Sequence, residues 1–469
     1  MPGRATRNAL VRLLPSRSEG MMAQRFDLVV LGTGGGASTV ATKCRGAGWE
    51  VAIVDALPYG GTCALRGCDP KKVLVGAAEV VDAVRRFTRH GVTSAATIQW
   101  PELMRFKRTF TDPVPARREE ALAKAGIATF HGRARFVGAT AVSVDDEVLD
   151  ARHVHVATGA KPADLTLPGS EYLTTSDQFL ELDALPGRVL FVGGGYVSFE
   201  LAHVAARAGA QVTVVHRGQQ PLEQFDPDLV ALLVERTRHV GIDLRLGTPV
   251  ESIEKTGDGF LVTARSEDGP VSFEVDLVVH GAGRVPAIDD LDLDTAGITH
   301  DAHGIAVNEY MQSVSNPAVY AAGDAARGGL PLTPVASLES HVAASNLLEG
   351  NHRAIAYPPI PSVVFALPPL ASVGLREDDA RAQGLRFRVN HQRTSSWYSS
   401  RRVGEDVSGY KVLVEETTGH ILGAHLLGPH ADDLINLFAL AMHAHMTAAD
   451  LKRTIFAYPT VGSDIPHML

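Results

Sequence analysis

Two cysteines separated by four residues stand in GGTCALRGCDPKK, from Gly60 to Lys72, and the chain of 469 residues holds only three cysteines in all. Paired thiols have few chemical uses. They can ligate a soft metal, close a structural staple, or cycle between dithiol and disulfide. Two unreactive thiols packed in a core are the plain alternative. The neighbours sharpen the choice: Gly60, Gly61, Ala64 and Gly67 are small enough to let a ligand approach closely, and Lys71 and Lys72 favour a thiolate nearby.

Elements must position such a pair, and the chain is long enough for two to four domains. Apolar residues make up 45%, charged residues 21%, and the formal net charge is -9. That acidic balance argues against nucleic acid, which demands a basic face. No run of about 20 uncharged apolar residues is present, so a membrane span is not expected. Three cysteines build no secreted disulfide framework and suit a reducing cytoplasm. Residues 1–21 are read as a leader or a misassigned start. Arg4, Arg7, Arg12 and Arg17 against the single acid Glu19 fit a mitochondrial presequence, but Met21 and Met22 directly precede the first strand pattern and favour a start codon placed too early.

FDLVVL, Phe26 to Leu31, has the composition of a buried parallel strand. GTGGGASTVATKC follows, and a second strand, VAIVD, ends at Asp55. Gly32, Gly34 and Ala37 fit the pattern of a dinucleotide turn, in which a helix amino terminus receives the diphosphate. Asp55 stands where an acid accepts bonds from ribose hydroxyls. The pattern recurs in RVLFVGGGYVSFELAHVAARAGAQVTVVHRG, from Arg188 to Gly218, with Gly193, Gly195 and Ser198 at the small positions. Its second strand ends in His216 and Arg217 rather than an acid. A cation there suits the 2′-phosphate of NADPH, with NADH the alternative and a solvated arginine the plain reading. Two such modules imply two dinucleotides, a flavin beside a nicotinamide. HVATGAKP, with Thr158 and Gly159, is placed where the chain leaves one domain; HGAGRVP, with Gly283, is placed where it returns. NPAVYAAGDAA ends a strand at Gly323 and Asp324, a position suited to holding a ribityl hydroxyl.

Taken in order, GTGGGA, GGTCALRGCDPKK, GGGYVSFE, HGAGRVP and AAGDAA resemble the flavoprotein disulfide reductases, a family that includes glutathione reductase, dihydrolipoamide dehydrogenase and mercuric reductase. The similarity runs from about Arg25 to Pro459. It implies an α/β fold with two Rossmann-like domains: an FAD domain at 22–157 and 285–354, interrupted by an NAD(P) domain at 158–284. A C-terminal α/β dimerisation domain follows at 355–469, beginning near PSVVFALPPLASVGL, and the protein is expected to be a homodimer. By matching positions, Cys63 and Cys68 become the redox-active disulfide, with Cys63 meeting substrate and Cys68 against the flavin. Lys72 matches the lysine near flavin N5, Glu200 its partner, and Tyr196 the ring that covers the flavin. Asp324 matches the ribityl-binding acid, and Gly61, Thr62, Thr158, Gly159 and Gly283 complete the cofactor contacts.

Within this pattern a zinc site lacks the second ligand cluster that tetrahedral coordination needs, and no other metal is expected. A purely structural disulfide suits a reducing compartment poorly. Cys44, on the first helix, is expected to be a packed core residue. The pattern breaks at the C terminus. Where the family carries His-Pro-Thr followed by Glu, this chain has Tyr458, Pro459, Thr460 and Ser463. A phenol with a pKa near 10 is a poor proton shuttle at neutral pH. Tyrosine also stands there in mercuric reductase, whose paired C-terminal cysteines are absent from this chain. Three readings follow: a reductase of a small disulfide, with His467 or Asp464 replacing the missing base; a reductase of a metal ion, quinone or other oxidant; or a flavin-bound redox sensor without turnover.

Overall fold

Leu28, Val29, Val30 and Leu31 are wholly buried, because the strand they form is covered on both faces, as the unbroken apolar run requires. A computed structural model describes residues 24–469; the leader assigned to residues 1–21 lies outside the described residues. The first strand, β1 (Gln24–Leu31), leads through a glycine turn into α1 (Gly35–Gly46) and β2 (Val51–Asp55). β1 lies between β2 and the strand Glu147–Val156, parallel to both, with Leu31 in register with Val54 and Val156. Val319–Ala321 joins the same sheet, with Ala321 opposite Val156. Four strands therefore end level, and the segments that leave them, Gly32, Asp55, Ala157 to Gly159 and Ala322 to Asp324, meet at one edge. Ligands of open parallel sheets bind at such an edge.

The chain leaves this sheet along Ala160–Pro162 and returns along Arg284–Pro286, which pair antiparallel. Between them lies a second parallel sheet, ordered Asp243–Arg245, Gln211–Val215, Arg188–Val192, Leu277–His280. The C-terminal unit is a five-stranded antiparallel sheet with the helix Ala431–His443 packed on it. This is the mixed α/β architecture expected from the sequence.

The dithiol segment forms two helices, α2 (Gly61–Arg66) and α3 (Cys68–Phe87), broken at Gly67 with φ -142 and ψ -111. On an unbroken helix two residues five apart would stand about 140° apart around the axis. The break lets Cys63 and Cys68 face each other. α3 is anchored by buried charges: Asp82 accepts from Arg207 at 2.7 Å and lies 3.0 Å from Arg86, while Glu405 of the C-terminal unit lies 3.8 Å from Arg86 and from Arg236. Side chains from all three units thus share one ion network, in which each buried charge has partners of opposite sign.

Candidate active site at the Cys63–Cys68 pair

Cys63 and Cys68 are free thiols lining one cleft of about 340 Å³, within the range of small-molecule sites. Cys63 holds the proton of the pair and donates to Cys68, which pulls the Cys68 thiol down to about 6. The same hydrogen bond and burial push Cys63 far above the usual thiol range. Thr333, the first residue of the helix Thr333–Glu349, brings its Oγ1 within 3.6 Å of Cys68 Sγ, and the charge of Lys71 further favours the thiolate. Of the two thiols, Cys68 is the one that its surroundings favour as thiolate. Cys44 is buried, and burial raises its thiol to about 12, so it is a packed residue outside the chemistry.

The expected pairing of Lys72 with Glu200 is corrected. Glu200, buried on the helix Tyr196–Arg207, accepts from Lys71 Nζ at 2.8 Å and from the Phe365 amide at 2.9 Å. Lys72 instead lies 3.4 Å from Glu79 and 3.5 Å from Asp432, with 42% of its side chain exposed, and does not line the cleft. Successive side chains on a helix diverge by about 100°, so Lys71 faces the helix that carries Glu200 while Lys72 is turned toward Glu79 and Asp432. Tyr196 does line the cleft, where it is 45% exposed.

The nucleotide edge is built by close backbone approach. Gly32 has φ +105, and a Cβ there would meet the Ala157 carbonyl oxygen at 2.3 Å. Gly61 has φ +72, and its Cβ would meet Gly34 Cα at 2.4 Å, so the turn and the dithiol helix touch. α1 opens after Gly34 without a side-chain cap, leaving its first amides for a ligand. Ala37 is buried against the sheet. Asp55 accepts from Thr33 Oγ1 at 2.6 Å and from Leu57 N at 2.9 Å, which holds its carboxylate at the cleft rim. Thr62 and Gly159 line the same cleft, as does Thr158, whose Oγ1 is buried without a partner. Across from them, burial raises the Asp324 carboxyl and the charge of Arg284 opposes that. An orphaned hydroxyl, an uncapped helix and a cradle that admits no Cβ fit a flavin dinucleotide.

The second turn repeats the geometry. Gly193 has φ +110, its Cβ would meet Gly281 O at 2.3 Å, and the following helix opens after Gly195 without a side-chain cap. Ser198 is fully buried, and its Oγ lies 2.0 Å from where a Cβ on Gly281 would stand. His216 is folded over Gly194 with its Nε2 3.1 Å from Gln220 O, and burial lowers its pKa. Its imidazole is thus neutral, whereas Arg217 is exposed and in no ion pair among the described residues. Gly283, φ +114, sits on the returning link, with no atom within 4 Å of an added Cβ.

At the C terminus Tyr458 is 81% exposed on its own chain. Ser463 donates to the Thr460 carbonyl. His467 lies in the short helix Ile465–Met468, edge-on to Trp397 at 6.2 Å, and Asp464 accepts from Ser399. Neither His467 nor Asp464 lines the dithiol cleft of its own chain. Lys71's pairing, Thr333 and Arg284 were missed in the sequence. The only signal for Thr333 is the Thr-Pro pair that opens its helix.

Comparison with known proteins agrees with this geometry. Residues 26–340 match the pyridine nucleotide-disulphide oxidoreductase family and residues 360–469 its dimerisation domain. The chain is 32% identical to a glutathione reductase of Burkholderia cepacia over 446 residues, 95% of this chain and 98% of that one. It is 32% identical to a dihydrolipoyl dehydrogenase of Halobacterium salinarum over 448 residues, 93% and 94% of the two chains. An HOCl-induced flavoprotein disulfide reductase of Escherichia coli, solved as a Cu(II) complex, superposes with a TM-score of 0.84 at 25% identity, covering 95% of this chain and 99% of that one. The chain therefore belongs to the pyridine nucleotide-disulphide oxidoreductases, NAD(P)H-dependent flavoenzymes that bind FAD.

Proposed function

We propose that the protein is a homodimeric reductase that takes electrons from NADPH through FAD to the Cys63–Cys68 pair and on to a small disulfide. The observation that carries this reading is the pair of free thiols in the wall of the dinucleotide cleft, which Lys71 also lines, with Thr333 Oγ1 3.6 Å from Cys68 Sγ. When bound, FAD supplies a two-electron relay between nicotinamide and dithiol. The chain's own residues do the rest. Cys63, as thiolate, attacks one sulfur of the substrate; the substrate S–S bond breaks, and the first thiolate leaves and takes a proton. Cys68 thiolate then attacks Cys63 in the mixed disulfide, releasing the second thiol and closing the Cys63–Cys68 disulfide. Two electrons leave the dithiol and two substrate thiols form. A reducing, cytoplasmic setting suits such a cycle.

Because Cys63 holds its proton and the residue in the family's histidine position is Tyr458, attack by Cys63 is expected to be favoured by alkali. The kcat/KM for a disulfide should climb with pH from neutrality upward, and a profile that falls above pH 7 would contradict this. The Cys68 thiolate has the opposite limit. It persists above about 6 and is lost below, so the long-wavelength absorbance of the reduced holoenzyme should fade as pH drops through about 6.

Arg217 supports NADPH over NADH. Arg217→Ala is expected to raise the KM for NADPH roughly 10- to 100-fold, the worth of one charge-assisted hydrogen bond, while the KM for NADH stays put. Equal effects on both nucleotides would remove that preference.

A second reading, reduction of a metal ion, quinone or oxidant, is favoured by the phenol at Tyr458. It is also supported by a relative named an uncharacterized 19.7 kDa protein in a mercuric resistance operon of Staphylococcus aureus, 52% identical over 180 residues, 38% of this chain and all of that one. In this reading the metal ion is a substrate that meets the dithiol. A panel of disulfides, quinones and metal salts with NADPH, run in parallel with NADH, separates the two. Turnover on a disulfide supports the first reading; turnover confined to the other classes replaces it with the second.

A further inference from the structure

The strand Ser362–Val364 opens the C-terminal sheet and hands the chain to Phe365. Val364 and Ala366 are buried while Phe365 is half-buried, the alternation of an extended segment, so its side chain points away from that of its neighbours. It points at α3. The ring centroid lies 4.3 Å from Lys71 Nζ and 4.2 Å from Lys72 Nζ. The amide of the same residue donates to Glu200 Oε1 at 2.9 Å, the oxygen that accepts from Lys71 Nζ at 2.8 Å. Two residues on, the Leu367 amide donates to His203 Nδ1 at 3.1 Å. Glu200 and His203 are three apart and share one helix face, so alternate amides of the extended segment dock along it. Buried His203 is neutral, and its Nε2 faces Thr237 Oγ1 at 3.0 Å, so Nδ1 is the acceptor. The backbone at Phe365 is therefore held whatever its side chain.

We propose that Phe365 is a positioning residue for the redox lysine: its ring, shared by two ammonium groups, and its amide on Glu200 hold Lys71 toward the dithiol. The inference rests on the reading of Cys63 and Cys68 as the redox pair. An ammonium is attracted to the face of an aromatic ring, more strongly where water is displaced. An aliphatic side chain of similar bulk fills the space without that attraction, leaving Lys71 and Lys72 to repel each other. Lys71 is the cation that favours the Cys68 thiolate; Cys63, Asp69 and Tyr196 are the other titratable groups that bear on that sulfur, with the Thr333 hydroxyl beside it. Through Phe365 the C-terminal unit reaches the electron path without touching it.

The test uses the full-length, FAD-loaded protein, reduced anaerobically to the two-electron level, with the thiolate absorbance followed across pH. Phe365→Leu is expected to raise the midpoint by about half to one pH unit. Phe365→Tyr keeps the ring and is expected to keep the wild-type midpoint. A Leu variant with unshifted midpoint, or a Tyr variant shifted as far as Leu, overturns the proposal. Should Phe365→Leu lose FAD, Phe365→Met and Phe365→Trp replace it, and equal midpoints for those two overturn the proposal equally. A wild-type protein with no thiolate band contradicts the redox-pair reading itself, and the inference falls with it. A wild-type band with unshifted variants contradicts the inference alone.

Discussion

Replacing Cys63 with serine is expected to reduce disulfide turnover by on the order of 10³-fold or more, the usual cost of removing a nucleophile, while NADPH still reduces the bound flavin. The asymmetry comes from the division of labour in the pair. In the proposed cycle Cys68, beside Thr333 and Lys71, is the thiolate, whereas Cys63 holds the proton and must give it up to attack. Cys68→Ser is therefore expected to abolish both turnover and the long-wavelength thiolate absorbance. Cys63→Ser removes turnover and keeps that absorbance, its hydroxyl still donating to the Cys68 sulfur. Stopped-flow reduction with NADPH, followed by a disulfide chase, measures both steps. If the serine variants behaved in the reverse order, the roles of the two cysteines would have to be exchanged.

The second large effect separates two adjacent lysines. Lys71→Met leaves the buried Glu200 without its cation, retaining only the Phe365 amide. Removing one partner of a buried ion pair costs about 3–5 kcal/mol. The side chains of Lys71 and Glu200 are only 13% and 5% exposed, so little of that cost is screened by water. A clear drop in melting temperature is expected, together with slower flavin reduction and a higher midpoint for the Cys68 thiolate. Lys72→Met breaks contacts that are nearly half exposed, worth about 0–1 kcal/mol. Thermal melts and stopped-flow traces on the two variants decide the matter. Severe loss in Lys72→Met with a mild Lys71→Met would restore the assignment drawn from the sequence.

That pair of lysines also shows where a sequence stops being informative. Lys71 and Lys72 follow Cys68 by three and four residues, so on α3 they flank its line at about 60° on one side and 40° on the other. Local pattern does not distinguish the flanks. The choice is made by how α3 docks on the helix carrying Glu200, a tertiary fact fixed by Asp82, Arg207 and their buried partners. Glu200 itself was drawn from the family resemblance, at a fixed distance past a recognisable glycine turn. The glycine turns were legible for a related reason: Gly32 and Gly193 have positive φ and touch opposing backbone, so the requirement is written at the position itself. Asp55 was legible as the terminal acid of its strand.

Thr333 and Arg284 were not legible. Thr333 has no signal beyond the proline that follows it, and Arg284, although it stands in HGAGRVP beside Gly283, gains its place near Asp324 and Tyr196 only from the fold. His216 stands beside Arg217 at the end of its strand where an acid would favour NADH, and packing over Gly194 keeps it neutral, leaving Arg217 as the cation. Tyr458 marks a different limit. Its departure from the family pattern is plain in the sequence, yet with 81% exposure no packing within its own chain gives the phenol a role.

Anaerobic titration of the oxidised, FAD-loaded protein with NADPH addresses the dithiol most directly. The first two electrons are expected to open the Cys63–Cys68 disulfide, so two new thiols per chain become titratable while a long-wavelength absorbance grows at pH 7 and disappears below about 6. A flavin that bleaches on the first equivalent, with no new thiols and no such absorbance, would contradict the assignment of these cysteines as the redox pair.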